Sequence, residues 1–312
     1  MQQRRLGRTG LTVSILGYGA GAVGGLFTRG AAADQDRAIG RAIDAGITYF
    51  DTASRYGDGE SERNLGRALP KRDGLVLGTK FRLTAADRGR VAEAIERSLA
   101  ASLQRLQRDH VDLLQLHNPL AAVDAGDRLA IDIALEQVAP ALERLRQAGK
   151  TRFVGFSGVG EPAALHRAVE SGLFDTVQVV YNALNPSAGG PMQANTPGLD
   201  YGGLLDKAYA RGMGTIVIRA LAGGALSGSA ERHPIAMQSV DPIGSAPSFA
   251  DDVVRAQALL PVARAAGCAS LAEYAQRFVI GHPAVSTMLI GTATLEQLEV
   301  AIAAVEKGPL AF

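Results

Sequence analysis

Three polar side chains stand at the ends of short apolar runs: Asp51 after ITYF, Lys80 after LVLGT and His117 after VDLLQL. A fourth, Tyr56, lies in DTASRYGDG, the segment that opens with Asp51. If the runs are neighbouring strands of one sheet, about 4.8 Å apart, their ends converge without special loop geometry. These residue types suit proton transfer coupled to hydride transfer. A phenol titrates near ~10, and a neighbouring ammonium favours the phenolate and lowers that value. Lys80 supplies the cation, Asp51 pairs with it because a half-buried charged lysine is costly alone, and His117 offers a hydrogen bond to a substrate oxygen. Taken singly, each residue has an ordinary structural explanation, and it is their convergence on one mouth that argues for a site.

The elements that must bring them together repeat along the chain: an amphipathic helix, a glycine just past its end, then a short β-branched strand. The joints are Ala45-Gly46-Ile47, Ala148-Gly149-Lys150, Ser171-Gly172-Leu173 and Arg211-Gly212-Met213. Strands are expected at SILGYGA from Ser14, ITYFDTA from Ile47, LVLGTK from Leu75, VDLLQLH from Val111, TRFVGFS from Thr151, TVQVVY from Thr176, GTIVIRA from Gly214 and AVSTMLIG from Ala284. Eight apolar strands separated by helices predict a parallel (β/α)8 barrel, here one domain over residues 1–312. Helical spacing of Val91, Ile95, Leu99, Leu103 and Leu106 predicts one packed face in the helix between the third and fourth strands. RRLGRTGLTVS reads as a hairpin around Gly10 that plugs one end of the barrel. Two loops, near residues 182–199 and 220–249, are longer than the barrel needs and follow the sixth and seventh strands, on the face where barrel active sites lie.

The bulk composition fits an ordinary globular protein. Of 312 residues 47% are hydrophobic, and 32 Lys and Arg against 31 Asp and Glu leave a formal charge of +1. No single-sign block suggests nucleic acid, and no apolar run suggests a signal segment or a membrane span, so a cytoplasmic location is expected. A single cysteine, Cys268, excludes an intrachain disulfide and reads as a small buried hydrophobe. His110, His166, His233 and His282 lack partners at metal-ligand spacing.

The pieces LGRTGLTVSILGYGA, GITYFDTASRYGDGESERNLGRAL, GTKF, VDLLQLHNP, GKTRFVGFSG, QVVYNALNP and IGTATLEQLE, running almost end to end, together resemble the aldo-keto reductases. The resemblance implies a reductase linked to NADPH or NADH, with a proton-relay tetrad at Asp51, Tyr56, Lys80 and His117 and Tyr56 as general acid for reduction or base for oxidation. It places nicotinamide contacts at Ser157 and Gln178, with Gly158 where the family usually has Asn. Further cofactor contacts are implied at Gly19 and Ala20, along the segment after the seventh strand (Ala220, Leu221, Gly223) and at Gly291, Thr292, Thr294 and Gln297. Arg219 is expected to meet a phosphate or the substrate. NADPH-preferring members commonly carry Lys or Arg near Gly291 to Thr294, and this chain has none there, so neither dinucleotide is favoured. The implied substrate is a small aldehyde, ketone, alcohol or sugar; an NAD-linked aldose dehydrogenase, similar to galactose and threo-aldose dehydrogenases, is one form of this reading.

Three alternatives stand beside it. GAGAVG, from Gly19 to Gly24, matches a dinucleotide-binding fingerprint, but LFTRGAAAD separates it from the next helix, which argues against a doubly wound fold. A barrel lyase would use Lys80 as a Schiff-base nucleophile, which needs a neutral amine. A cofactor-binding sensor or subunit with negligible turnover would keep the fold and lose the chemistry.

Overall fold

The glycines at the four helix-to-strand joints, Gly46, Gly149, Gly172 and Gly212, all have φ between +69° and +81°, the left-handed region that ends a helix at little cost for glycine. In this computed structural model, which describes residues 1–192 and 194–310, each joint returns the chain to a parallel strand. The strands are β1 (Gln3–Arg5), β2 (Thr12–Ser14), β3 (Leu16–Gly19), β4 (Tyr49–Asp51), β5 (Val76–Phe81), β6 (Val111–Leu116), β7 (Leu120–Ala121), β8 (Leu129–Ala130), β9 (Thr151–Gly158), β10 (Thr176–Val180), β11 (Gly214–Ile218) and β12 (Thr287–Ile290). Eight of them close in the order β3-β4-β5-β6-β9-β10-β11-β12, with Met288 opposite Leu16 where the ring meets itself. The expected (β/α)8 barrel is therefore the fold, and β4, β5 and β6 are buried at every residue because helices cover the outside while side chains fill the inside.

The hairpin is present. β1 and β2 pair antiparallel, joined by a short turn at Gly7–Thr9, and Leu6 and Val13 pack against Tyr49, Val76, Leu113, Ile216 and Leu289 at the barrel floor. Arg4 fastens it by donating to the carbonyls of Ile280 (2.8 Å), His282 (3.1 Å) and Val285 (2.7 Å).

On the opposite face, GAGAVG opens into a turn and a single helical turn, Leu26–Arg29, before the long helix Ala32–Asp44. The fingerprint thus serves close packing: a Cβ at Gly24 would sit 2.6 Å from the Thr292 nitrogen. The long loops after β10 and β11 meet each other, with the Asn185 amide donating to the carbonyls of Leu199 (2.9 Å) and Gly244; Gln193 lies outside the described residues. The second loop also crosses to the loop after β3, where Met237 N donates to Val23 O (3.1 Å) and Arg29 to Ile235 O (2.6 Å). A third elaboration, the two-residue pair β7–β8 after β6, has strands too short to leave a periodic signal. Cys268 is buried in a satellite cluster with Leu184, Ala222 and Leu271. Among the described residues no helix is long and apolar enough to cross a membrane.

Because Leu6 is fully buried at the floor, Leu6→Ala is expected to lower stability by about 2–4 kcal/mol. Gln3→Ala, on the exposed side of the same hairpin, should stay within about 0.5 kcal/mol. Urea denaturation of the two variants beside the parent protein measures both.

Candidate active site

Asp51 is the last residue of β4, opposite Gly19 on β3 and Gly78 on β5. Gly78 leaves the space its side chain needs: a Cβ there would lie 2.9 Å from the Tyr49 hydroxyl and 3.3 Å from Asp51 Oδ2. Lys80, on β5 and fully buried, points its ammonium at three acceptors, Asp51 Oδ1, the Thr52 carbonyl (2.9 Å) and the Tyr56 hydroxyl (3.4 Å). The other carboxylate oxygen of Asp51 accepts from Gln178 Nε2 (2.8 Å), Tyr49 Oη (3.2 Å) and Gln115 Nε2 (3.3 Å). A buried ion pair holds only when its remaining lone pairs and protons are matched in this way.

Burial pushes the Asp51 carboxyl above its usual range, against the pull of Lys80. For Lys80 burial works toward a lower pKa, but the Asp51 carboxylate and the Tyr56 hydroxyl outweigh it and hold the ammonium above its ordinary value. Lys80 is therefore a fixed cation. Burial first, and then Asp51, raise the Tyr49 phenol well above 10, which keeps it a proton donor to the carboxylate.

His117 follows β6 directly and is anchored by its backbone N–H to the Phe81 carbonyl (2.9 Å). Its ring meets that of Tyr56 edge to face, with centroids 5.6 Å apart. Burial, and then the charges of Lys80, Arg82 and Arg55, hold the imidazole well below 6.5, so it is neutral near pH 7, and its Nδ1 is buried without a partner. The four candidate chemical residues thus meet at the C-terminal mouth of the barrel.

Ser157 and Gln178 stand opposite each other on β9 and β10. The Ser157 hydroxyl is buried with no hydrogen-bond partner, whereas Gln178 gives its amide to Asp51. Gly158 has a steric reason to be glycine, since a Cβ would lie 2.6 Å from the Gln178 carbonyl and this backbone cannot seat an asparagine unchanged.

Gly19 ends β3, and the next residue, Ala20, is buried with both backbone groups engaged, its N–H by Asp51 O (2.8 Å) and its carbonyl by Ser61 Oγ (2.6 Å). Gly291 packs against the Gly19 carbonyl, 2.9 Å from where its Cβ would stand. Thr292 is turned inward, its hydroxyl 3.1 Å from that of Tyr18. Thr294 and Gln297 cap the helix Leu295–Glu306: Thr294 Oγ1 accepts from Gln297 N (3.3 Å), and Gln297 Oε1 from Ala293 N (2.8 Å).

Beside them stands a charge that the sequence reading passed over. The Glu296 carboxyl is held below its usual range by its own backbone N–H and then by the neighbouring Thr294 side chain. After β11, Ala220 is buried, the Leu221 carbonyl receives Gly224 N (2.8 Å), and Gly223 lies against Val240 and the Arg219 guanidinium.

Tyr49 and Gln115 were also missed. Both carried a faint signal: Tyr49 shares its strand face with Asp51, and Gln115 interrupts the apolar run VDLLQL.

Residues 15–311 match the family model for the Aldo/keto reductase family. Together with the barrel, this match places the chain: it belongs to the aldo/keto reductase family. It is 36% identical to L-galactose dehydrogenase of Arabidopsis thaliana, over 51% of this chain and 49% of that protein. It is likewise 36% identical to D-threo-aldose 1-dehydrogenase of a Pseudomonas species, over 54% of this chain and 57% of that one. The chain spans about half the length of these curated relatives. In structure it resembles aldo-keto reductase AKR11C1 from Bacillus halodurans (holo form), with a TM-score of 0.74 and 24% identity over 100% of this chain and 93% of that one, which establishes likeness of fold.

The depressed His117 value carries a pH consequence. The folded state takes up this proton less readily than the unfolded chain, so the stability it contributes is full above about 6.5 and is lost as pH falls toward the folded value. Thermal midpoints measured from about pH 8 to 5 should therefore decline below 6.5, and His117→Asn should flatten that decline; an equally steep fall in the variant would assign the proton elsewhere.

Proposed function

We propose that the chain is an NAD(P)-dependent oxidoreductase that interconverts a small carbonyl compound and its alcohol, with Tyr56 as the proton donor and acceptor. The observation that carries this reading is the Tyr56 hydroxyl 3.4 Å from an ammonium that is itself fixed by Asp51, beside a neutral imidazole. The residues present fit a nicotinamide: the Ser157 hydroxyl is a buried donor and acceptor at the mouth with no hydrogen-bond partner in the protein. When bound, the dinucleotide supplies hydride to a carbonyl carbon or accepts it from a carbinol carbon.

In the reductive direction Tyr56 gives its proton to the substrate oxygen, and the Lys80 ammonium stabilises the phenolate left behind. His117, neutral, orients the carbonyl by a hydrogen bond without competing for the proton. Tyr49, Gln115 and Gln178 hold Asp51, and Asp51 holds Lys80. In the oxidative direction the same phenolate removes the hydroxyl proton. A Schiff-base lyase reading loses ground, because Lys80 is cationic and its three protons face three acceptors.

The names of the relatives favour aldoses as substrates, and Glu296 favours NADH. A carboxylate at the N-terminus of the helix Leu295–Glu306, with no Lys or Arg in Gly291 to Thr294, opposes a 2′-phosphate at that position.

Turnover of the purified protein with NADH and NADPH against a panel of aldoses and aldehydes tests the assignment. Tyr56→Phe should lose at least about 99% of the activity while dinucleotide affinity, read by fluorescence titration, changes only a few-fold. Retention of a tenth of the activity would remove Tyr56 from the role, and undetectable turnover of the whole panel by a protein that binds dinucleotide would favour a sensor. The parent protein should bind NADH more tightly than NADPH, and Glu296→Lys should narrow or reverse the difference.

A further inference from the structure

We propose that Arg219 recognises an anionic group, a carboxylate or a phosphate, on the substrate of this site; the inference rests on the oxidoreductase reading and specifies its substrate class. Arg219 is the first residue after β11, which lies across the eight-strand ring from β5, the strand that carries Lys80. Its backbone has φ +58°, a left-handed conformation that a non-glycine residue seldom adopts and that tends to mark functional positions. That conformation is pinned by two hydrogen bonds to the Arg219 carbonyl, from the Asn182 amide (3.0 Å) and from Ala222 N (2.8 Å). Gly223 then leaves the guanidinium its channel: a Cβ there would lie 2.8 Å from Arg219 Nη1 and 2.7 Å from Val240 Cγ1.

The guanidinium placed so deliberately is short of partners. Among the described residues it makes one side-chain hydrogen bond, to the Asp241 carbonyl (3.1 Å), and no ion pair. Other arginines of the fold are better served: Arg4 holds three carbonyls, Arg41 meets both oxygens of Glu299 and Arg105 is paired with buried Glu62. Arg219 is also half-buried, burial draws its pKa down, and the Tyr56 side chain is among the groups that act on it, which puts it on the reacting side of the mouth. A half-buried cation with unused donors gains from an anion that completes it, and the planar fork of arginine matches the two oxygens of a carboxylate or phosphate.

A second arginine of the rim is also open. Arg55, in the loop that carries Tyr56, is exposed and has no partner among the described residues, and Arg82 follows β5 with its charge met by Asp127 at 2.6 Å. The carboxylate of Asp51 is consumed by Lys80, and Asp241 acts on Arg219 from beyond ion-pair distance. Arg219 and Arg55 are thus two guanidinium groups of the mouth without an ion-pair partner among the described residues, placed to draw in anionic substrates and lower their KM.

The test compares matched substrates at low ionic strength: succinic semialdehyde against butyraldehyde for a carboxylate, and glyceraldehyde 3-phosphate against glyceraldehyde for a phosphate. In at least one pair kcat/KM should favour the charged member by about tenfold or more, mainly through KM, and added salt should shrink the preference. Arg219→Met should bring that ratio near one, and Arg219→Lys, which keeps the charge and loses the fork, should fall between. A ratio near one in the parent protein, or the same ratio in parent and Arg219→Met, would overturn the proposal. So would an equal loss for charged and neutral substrates together with weaker dinucleotide binding, which would give the guanidinium to the cofactor. Calorimetric titration of the dinucleotide-loaded protein with malonate and with inorganic phosphate separates this inference from the catalytic reading. Binding by the parent that Arg219→Met loses supports anion recognition even if no aldehyde turns over, and absence of binding of both anions counts against it even if neutral aldehydes do.

Discussion

An ammonium and a carboxylate buried side by side at the mouth of the barrel set the terms for much of the surrounding structure. Neither charge is tolerable there alone, and the pair is tolerable only because its remaining hydrogen-bonding capacity is filled. Asp51 is met by Lys80, Tyr49, Gln115 and Gln178, and Lys80 by Asp51, the Thr52 carbonyl and Tyr56. Gly78 is small because that network needs its volume. Four strands, β4, β5, β6 and β10, contribute side chains to it, so the polar arrangement inside the barrel is as specific to this fold as the apolar packing beneath it.

This arrangement also divides labour among neighbours. Lys80 is held charged, His117 is held neutral by burial and by the surrounding cations, and Tyr49 is held protonated against Asp51. The Tyr56 hydroxyl is left where these influences meet, on a side chain that is only half-buried. The long loops after β10 and β11, tied to each other and to the loop after β3, roof the same region and carry Arg219 at the root of the second.

Much of this was legible in the sequence. Strands were readable because each is a short apolar run, four of them entered through a glycine joint, and Asp51, Lys80 and His117 because a charged or titratable residue at the end of such a run is conspicuous. What escaped was whatever depends on packing between segments distant in the chain. Gln178 reads as a cofactor contact, yet its amide goes to Asp51 on a strand 127 residues earlier. Thr292 likewise reads as a cofactor contact, and its hydroxyl turns to Tyr18. Glu296 is one ordinary helix-start acid until the helix end is seen to lie beside the mouth loops, and β7–β8 has no period to detect.

Closure of the ring between Leu16 and Met288 has a consequence for how the protein is made. On a growing polypeptide, β3 can pair with β4 as soon as both have emerged, but its other edge must wait for β12, the last strand of the ring. During that interval an apolar strand presents unpaired backbone donors and acceptors along one side, the kind of edge that recruits other chains. The hairpin floor matures equally late, because Arg4 fastens onto carbonyls of residues 280–285. The barrel is thus held open by its own topology through most of synthesis, and guarding that edge falls to whatever shields nascent chains in the cell.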